Sequence, residues 1–175
     1  MSVVVEVLDA PAYRQAIDGL AELLVDAVDH GAGVNFMAGV TVEQTREWWA
    51  TRIDGVESGM VVPIVARDGD RVVGSTVLLY AWNPNSPHRG EISKVLVHSS
   101  ARRQGLGRRL MEAAEARARH DGRWLLVLDT VTDSDADVFY RSLGWQEVGI
   151  IPDFALQPDG ELTPTTVFYN DVREP

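Results

Sequence analysis

The sequence predicts an α/β (α+β) fold, with a mixed, mostly antiparallel sheet of about six to seven strands, a central parallel pair and about four helices. Short valine-rich runs alternate with stretches of helical period. Asp68-Gly69, inside the connection Arg67 to Asp70, joins two of those runs as a hairpin. Gly90 to Leu128 reads strand, helix, strand, a crossover that requires a parallel pair.

Ser2 to Leu8 is valine-rich and reads as a strand. Asp9 caps a helix that begins near Pro11, where Tyr13, Ile17, Leu20, Leu24 and Val28 recur at helical spacing until Gly31 and Gly33 end it. Thr41-Val42-Glu43-Gln44 is a capping box. The helix it opens carries Trp48, Trp49, Ile53 and Val56, and Gly59 closes it. Met60 to Ala66 and Arg71 to Trp82 are strands, and Asn83 to Pro87 is a loop. Gly90 to His98 is the next strand, followed by a helix from about Gly105 to His120 with Leu106, Leu110, Ala113 and Ala114 along one side. Asp121-Gly122 stops it. Trp124 to Leu128 is an uninterrupted apolar run, as expected of a strand buried on both faces. Ser134 to Leu143 is a short helix with Gly144 after it, and Trp145 to Ile151 and Thr165 to Tyr169 are the last strands.

A chain of 175 residues, 45% of them hydrophobic, can build one core, so residues 1–175 are read as one domain. No apolar run approaches the length of a membrane span, and Met1 to Glu6 lacks a basic region before an apolar stretch, so neither a membrane helix nor a signal peptide is expected. Cysteine is absent, which excludes disulfides, thiol nucleophiles and thiolate metal sites and points to the cytoplasm. The net charge of −10 disfavours nucleic acid as a partner. It suits a cationic or amine substrate, or serves solubility alone. Lys94 is the one lysine against fifteen arginines, and no function follows from that imbalance. His30, His88, His98 and His120 lack metal-ligand spacing, so no metal is expected. Trp48 and Trp49 read as core and rim. Ser99-Ser100 lacks the nucleophile elbow of a serine hydrolase.

Arg102-Arg103-Gln104-Gly105-Leu106-Gly107, with Arg108 and Arg109 beyond, lies between a strand and a helix start. Glycines let backbone approach a ligand closely, and free N–H groups and the helix dipole favour an anion. Arginines add charge-assisted hydrogen bonds to phosphate. The loop therefore reads as a pyrophosphate cradle or as an ordinary basic helix start. It lacks the lysine of a P-loop and the third glycine and early position of a dinucleotide fingerprint, so ATP and NAD are disfavoured.

Val95-Leu96-Val97 followed by Arg102-Arg103-Gln104-Gly105-Leu106-Gly107 resembles the acetyl-CoA loop of the GNAT superfamily of N-acetyltransferases. Ala136 to Trp145, with Phe139-Tyr140 before Leu143-Gly144-Trp145, is similar to that family's later helix–turn–strand. Within the family, Leu23 to Val28, Gly31 to Met37, Leu128-Asp129-Thr130 and Pro158 to Thr165 most resemble the tabtoxin-resistance acetyltransferases, which acetylate an amine of a small amino-acid-like toxin.

The resemblance implies a GNAT fold, acetyl-CoA as cosubstrate without a metal, and transfer of acetyl to a primary amine of a small molecule, in the sense of antibiotic or toxin resistance. A polyamine, an aminoglycoside, a protein N-terminus, or a non-catalytic sensor of acyl-CoA is the alternative. It implies cofactor binding by Val95, Leu96, Val97, Arg102 to Arg108 and Phe139, and acceptor binding by Asn35, Phe36, Glu91 and Asp129. Period-2 alternation puts Glu91 on one face with Ser93, Val95 and Val97. In the family an acid at Glu91 is the general base; otherwise it is a surface glutamate. Asp129 ends its strand, where it orients the amine, shares the base role or caps the following loop. Tyr140 is the family's proton donor to the CoA thiolate, or else a packing residue. Unperturbed values of about 10 for a phenol and 8.5 for a thiol make that transfer modestly uphill. Monomer and homodimer are equally compatible with the sequence.

Overall fold

The computed structural model describes residues 3–173, so Ser2 of the first expected strand lies outside the described residues. Seven strands form one sheet: β1 (Val4–Val7), β2 (Val61–Asp68), β3 (Arg71–Tyr80), β4 (Arg89–Val97), β5 (Leu125–Val131), β6 (Gln146–Leu156) and β7 (Leu162–Asp171). Their order is β1-β2-β3-β4-β5-β7-β6. Only β4 and β5 run parallel, and every other neighbouring pair is antiparallel. The helices are α1 (Ala10–Asp29), α2 (Val42–Ala50), α3 (Ile53–Glu57), α4 (Leu106–His120) and α5 (Asp135–Ser142). The mixed sheet and its single parallel pair match the fold expected from the sequence.

Local signals act where they were read. The Asp9 carboxylate accepts from Ala12 N–H at 2.8 Å and opens α1. Thr41 and Gln44 form both halves of the capping box. The helix it opens does not run on to Gly59: it breaks at Thr51-Arg52, and α3 restarts at Ile53. The β2–β3 connection is also tighter than Arg67 to Asp70. Asp68 pairs with Arg71, so the turn is Gly69-Asp70, with Gly69 at φ +60° supplying the positive φ that such a short hairpin needs.

The sheet separates two apolar clusters. On one face Leu110, Met111 and Ala114 of α4 and Tyr140 of α5 pack on Ile64, Leu78, Ile92, Leu126, Leu128 and Phe168. On the other, Tyr13, Leu20 and Leu24 of α1 and Trp49 of α2 pack on Val65, Val77 and Leu96. Trp49 donates its indole N–H to Leu20 O, and Tyr13 its hydroxyl to Trp49 O, which satisfies the polar atoms of two large buried rings. Burial of β5 is one-sided rather than two-sided. Leu126 and Leu128 are buried, but Leu125 and Val127 are only partly so and Asp129 is exposed, because α1 centres on β3 and β4 and leaves that face of β5 open.

Candidate active site

Two irregularities in β4 build the site. The first is a bulge. Val77 faces Ser93 and Ser75 faces Leu96, so β4 spends one residue more than β3, and Lys94 takes φ +52°. The extra residue breaks the period-2 alternation. Glu91 and Ser93 line a cavity on the α1–α2 side, whereas Val95 and Val97 pack on the α4 side. The expected common face of Glu91, Ser93, Val95 and Val97 is therefore wrong from Val95 onward.

The second irregularity is an opening. The parallel pairing of β4 with β5 covers only Arg89–Leu125, Gly90–Leu126 and Glu91–Val127. Both strands continue, to Val97 and Val131, without pairing to each other. Asp129 thus lies inside β5, just past the last pair, and does not end the strand. The Thr165 hydroxyl lies 2.8 Å from both the Asp129 carboxylate and Thr130 O, so its one proton serves either acceptor.

At the far end of the opening lies the arginine–glycine loop. A 3₁₀ turn, Ser99–Ala101, leads into it, and His98 caps that turn by accepting from Ser100 N–H at 3.1 Å. Asp26 on α1 ties the turn down, accepting from the N–H and hydroxyl of Ser99 at 2.8 and 2.7 Å. Burial alone would raise the Asp26 carboxyl, but the Ser99 bonds and the neighbouring His98 and His30 outweigh it and hold it below the usual carboxylate range. Arg103 and Gly105 both adopt positive φ, +60° and +76°. Backbone N–H groups of residues 103–108 meet no acceptor among the described residues, and α4 opens without a side-chain cap. Such a set of free donors at the start of a fifteen-residue helix fits an anion. Arg102 donates to Val97 O at 3.2 Å, and Arg103 and Arg108 extend into solvent.

Gly107 has a second use. A Cβ there would lie 3.2 Å from the Phe139 ring, so the first turn of α4 packs directly on α5. Phe139 and Tyr140 sit with ring centroids 5.4 Å apart, and Tyr140 also contacts Trp145 and Phe168. Tyr140 is 7% exposed, and its hydroxyl bonds to no described residue. Burial, then the Asp129 charge, raises its pKa above the ordinary phenol value. Full proton transfer to a thiolate would therefore be more steeply uphill than unperturbed values give, while the phenol stays protonated and able to donate a hydrogen bond.

Glu91 opens into a cavity of about 130 Å³ walled by Asn35, Trp48, Arg52, Ser93 and Lys94. Its carboxyl is raised, first by desolvation from those walls and second by Asp129, against the lowering influence of Lys94 and Arg89. Asp129 therefore lies within electrostatic reach of both Glu91 and Tyr140. Asn35 reaches the cavity at φ +71°. Phe36 stands behind the wall, edge-on to Trp48 at 5.7 Å, and supports that ring rather than lining the cavity. The loop carrying both residues meets the β6–β7 tip, where Ala38 N–H donates to Pro158 O at 3.0 Å. A larger cavity, about 390 Å³, lies between β1 and α3 and contains none of the residues expected to bind cofactor or acceptor or to act in catalysis.

Residues 20–145 match the model of the acetyltransferase (GNAT) family. The chain belongs to the GNAT acetyltransferase family. Its fold is similar to that of an N-acetyltransferase from Staphylococcus aureus Mu50, with a TM-score of 0.80, 15% identity and coverage of 99% of this chain and 100% of that one. It is similar to yncA from Salmonella typhimurium, a structure with its cofactor acetyl-CoA, at TM-score 0.77, 20% identity and coverage of 100% and 96%. A ribosomal-protein-alanine N-acetyltransferase from Brucella melitensis aligns at TM-score 0.76, 21% identity and coverage of 96% and 99%. Within this GNAT chain, sequence reasoning missed Arg52 and Lys94 as cavity residues and read Trp48 and Trp49 only as core and rim, although both line the cavity. A lone lysine inside the apolar run Ile92 to Val97 was the available signal.

Proposed function

We propose that the protein is an acetyl-CoA-dependent N-acetyltransferase that acetylates a primary amine of a small molecule by direct attack within a ternary complex. One observation carries this reading: the gap between β4 and β5 runs from Glu91 and Asp129 to the unpaired N–H groups of residues 103–108. The loop N–H groups, with Arg103 and Arg108, suit the pyrophosphate of CoA. The unpaired edge of β4 along Val95 to Val97 offers backbone donors and acceptors to the amides of the pantetheine arm, and Gly107 and Phe139 hold the loop against α5.

In this reading Glu91 takes the proton from the acceptor ammonium, directly or through water. A carboxyl raised towards neutrality is better matched to that task than an ordinary glutamate. Asp129, with the Thr165 hydroxyl beside it, attracts and aligns the amine. Tyr140 stays protonated and donates to the departing sulfur. No cysteine is available to accept the acetyl group, which favours direct attack over an acyl-enzyme. The tabtoxin-resistance resemblance supports an amino-acid-like acceptor.

Thermal unfolding with added acetyl-CoA tests the reading. Acetyl-CoA at 100 times its dissociation constant is expected to stabilise the fold by about 2.7 kcal/mol, with no response to NAD or ATP. No shift with acetyl-CoA, or an equal shift with all three, would overturn it.

A further inference from the structure

Lys94 and Arg52 both line the Glu91 cavity against the Trp48 ring, and neither forms an ion pair with a described residue. Lys94 is 8% exposed, and its Nζ lies 4.9 Å from the Trp48 ring centroid. The Arg52 guanidinium lies 4.5 Å from the same ring. Neither side chain makes an ion pair or a side-chain hydrogen bond with a described residue, and Arg52 Nε is buried without any partner. A lysine ammonium withdrawn from water near a half-buried guanidinium is costly unless an anion compensates the pair. The strain is visible at Lys94, whose pKa is lowered to about 8, chiefly by burial and next by Arg52. The attraction of Asp129 and Glu91 is not enough to reverse it.

The cavity thus holds both signs of charge. Its lining combines the Glu91 carboxylate with Lys94 and Arg52, while Trp48, the buried Val77 and the partly buried Leu79 supply apolar surface. A polyamine would bring a second positive charge to Lys94 and Arg52. A molecule with an ammonium and a carboxylate a few bonds apart satisfies both signs of charge at once. We propose that Lys94 and Arg52 form a subsite for a carboxylate of the acceptor, so that the enzyme acetylates the amine of a free, zwitterionic amino acid. The inference rests on the acetyltransferase reading above and names its acceptor class.

Thiol release from acetyl-CoA, measured with the free L-amino acids, their carboxamides and their decarboxylated amines, tests it. A carboxamide has the less basic amine and so reacts more readily if charge recognition plays no part. Against that bias, the best free amino acid is expected to exceed its carboxamide in kcat/KM by roughly 10- to 100-fold, as a charge-assisted contact provides. Lys94→Met and Arg52→Met are each expected to bring that ratio towards one, mainly through KM for the amino acid. Carboxamides or polyamines accepted as well as amino acids by the parent enzyme would overturn the subsite, as would a panel in which no amino acid is acetylated. The parent ratio decides even where a variant fails to fold. Acetyl-CoA stabilisation in the same preparation separates the two failures: if it persists, only the subsite falls, and if it is absent, both readings fall.

Discussion

Gly107 and Phe139 touch across the α4–α5 junction so closely that a single added carbon would stand 3.2 Å from the ring. The contact joins the loop read as the phosphate cradle to the helix that carries Tyr140. Gly107→Val is therefore expected to act in two places. It should lower acetyl-CoA affinity and, by overpacking, cost about 1–3 kcal/mol of stability. Gly105→Val differs, because a Cβ there meets nothing within 4 Å. Its penalty comes from φ +76° and should be about 1–2 kcal/mol. Urea unfolding and calorimetric titration with acetyl-CoA check both. A Gly107→Val protein with parental stability would mean that Phe139 moves aside without cost.

Tyr140→Phe keeps the packing against Trp145 and Phe168 and removes only the hydroxyl. Turnover should fall by roughly 10²-fold or more, with acetyl-CoA affinity near that of the parent. Because burial raises the phenol, the parent should lose no activity to Tyr140 ionisation up to its ordinary value of about 10. A nearly silent Tyr140→Phe would leave Tyr140 a packing residue.

Glu91→Gln should change the shape of the pH–rate profile. In the parent the base works in its ionised form, so kcat/KM rises through a Glu91 pKa that lies above the usual carboxylate range. Without it, the rise should move to the range where a free amine deprotonates, between about 8 for an α-amine and 10.4 for a lysine-like one. A parental profile in the variant would shift the base role to Asp129, and Asp129→Asn would then be the decisive enzyme to assay.

Asp137 predicts the acid limit of the fold. It is buried on α5 and accepts from Arg141 at 2.5 Å, Asp133 N–H at 3.1 Å and Thr166 at 3.0 Å. Burial alone would raise it, but these bonds outweigh that and lower its pKa. A lowered folded pKa stabilises above the unfolded value of about 3.9 and loses that contribution as pH falls through the folded value. Asp137→Ala should therefore cost about 1–3 kcal/mol at pH 7, and the deficit should narrow below pH 4. Equal deficits at pH 7 and pH 3 would show that the loss is one of packing alone.

Much of the frame was legible because it is written in local chemistry. Asp9, the Thr41–Gln44 box and the Gly69 turn each act through neighbours a few residues away, and the crossover from β4 through α4 to β5 follows from connectivity. The bulge at Lys94 was not legible, since it depends on how β4 registers against β3. Its effect was large: it moved Val95 and Val97 to the opposite face from Glu91. The one-sided burial of β5 was hidden for a similar reason, because an apolar run does not reveal where α1 ends its coverage. Arg52 and Lys94, forty-two positions apart, meet over Trp48 only through the packing of α2 on the sheet, so no spacing rule could join them.

The short pairing between β4 and β5 also sets how the molecule exchanges its protons with water. Past Glu91 and Val127 two central strands present amide rims to each other without bonding. Amides on those facing rims should exchange deuterium much faster than those of β2 and β3, although they lie deep in the sheet order. Such an inner rim is shielded from edge-to-edge aggregation, since a foreign strand would have to enter between elements already joined by α4. A slender, extended molecule can enter and take up the exposed amides, and their slowed exchange would record its arrival residue by residue.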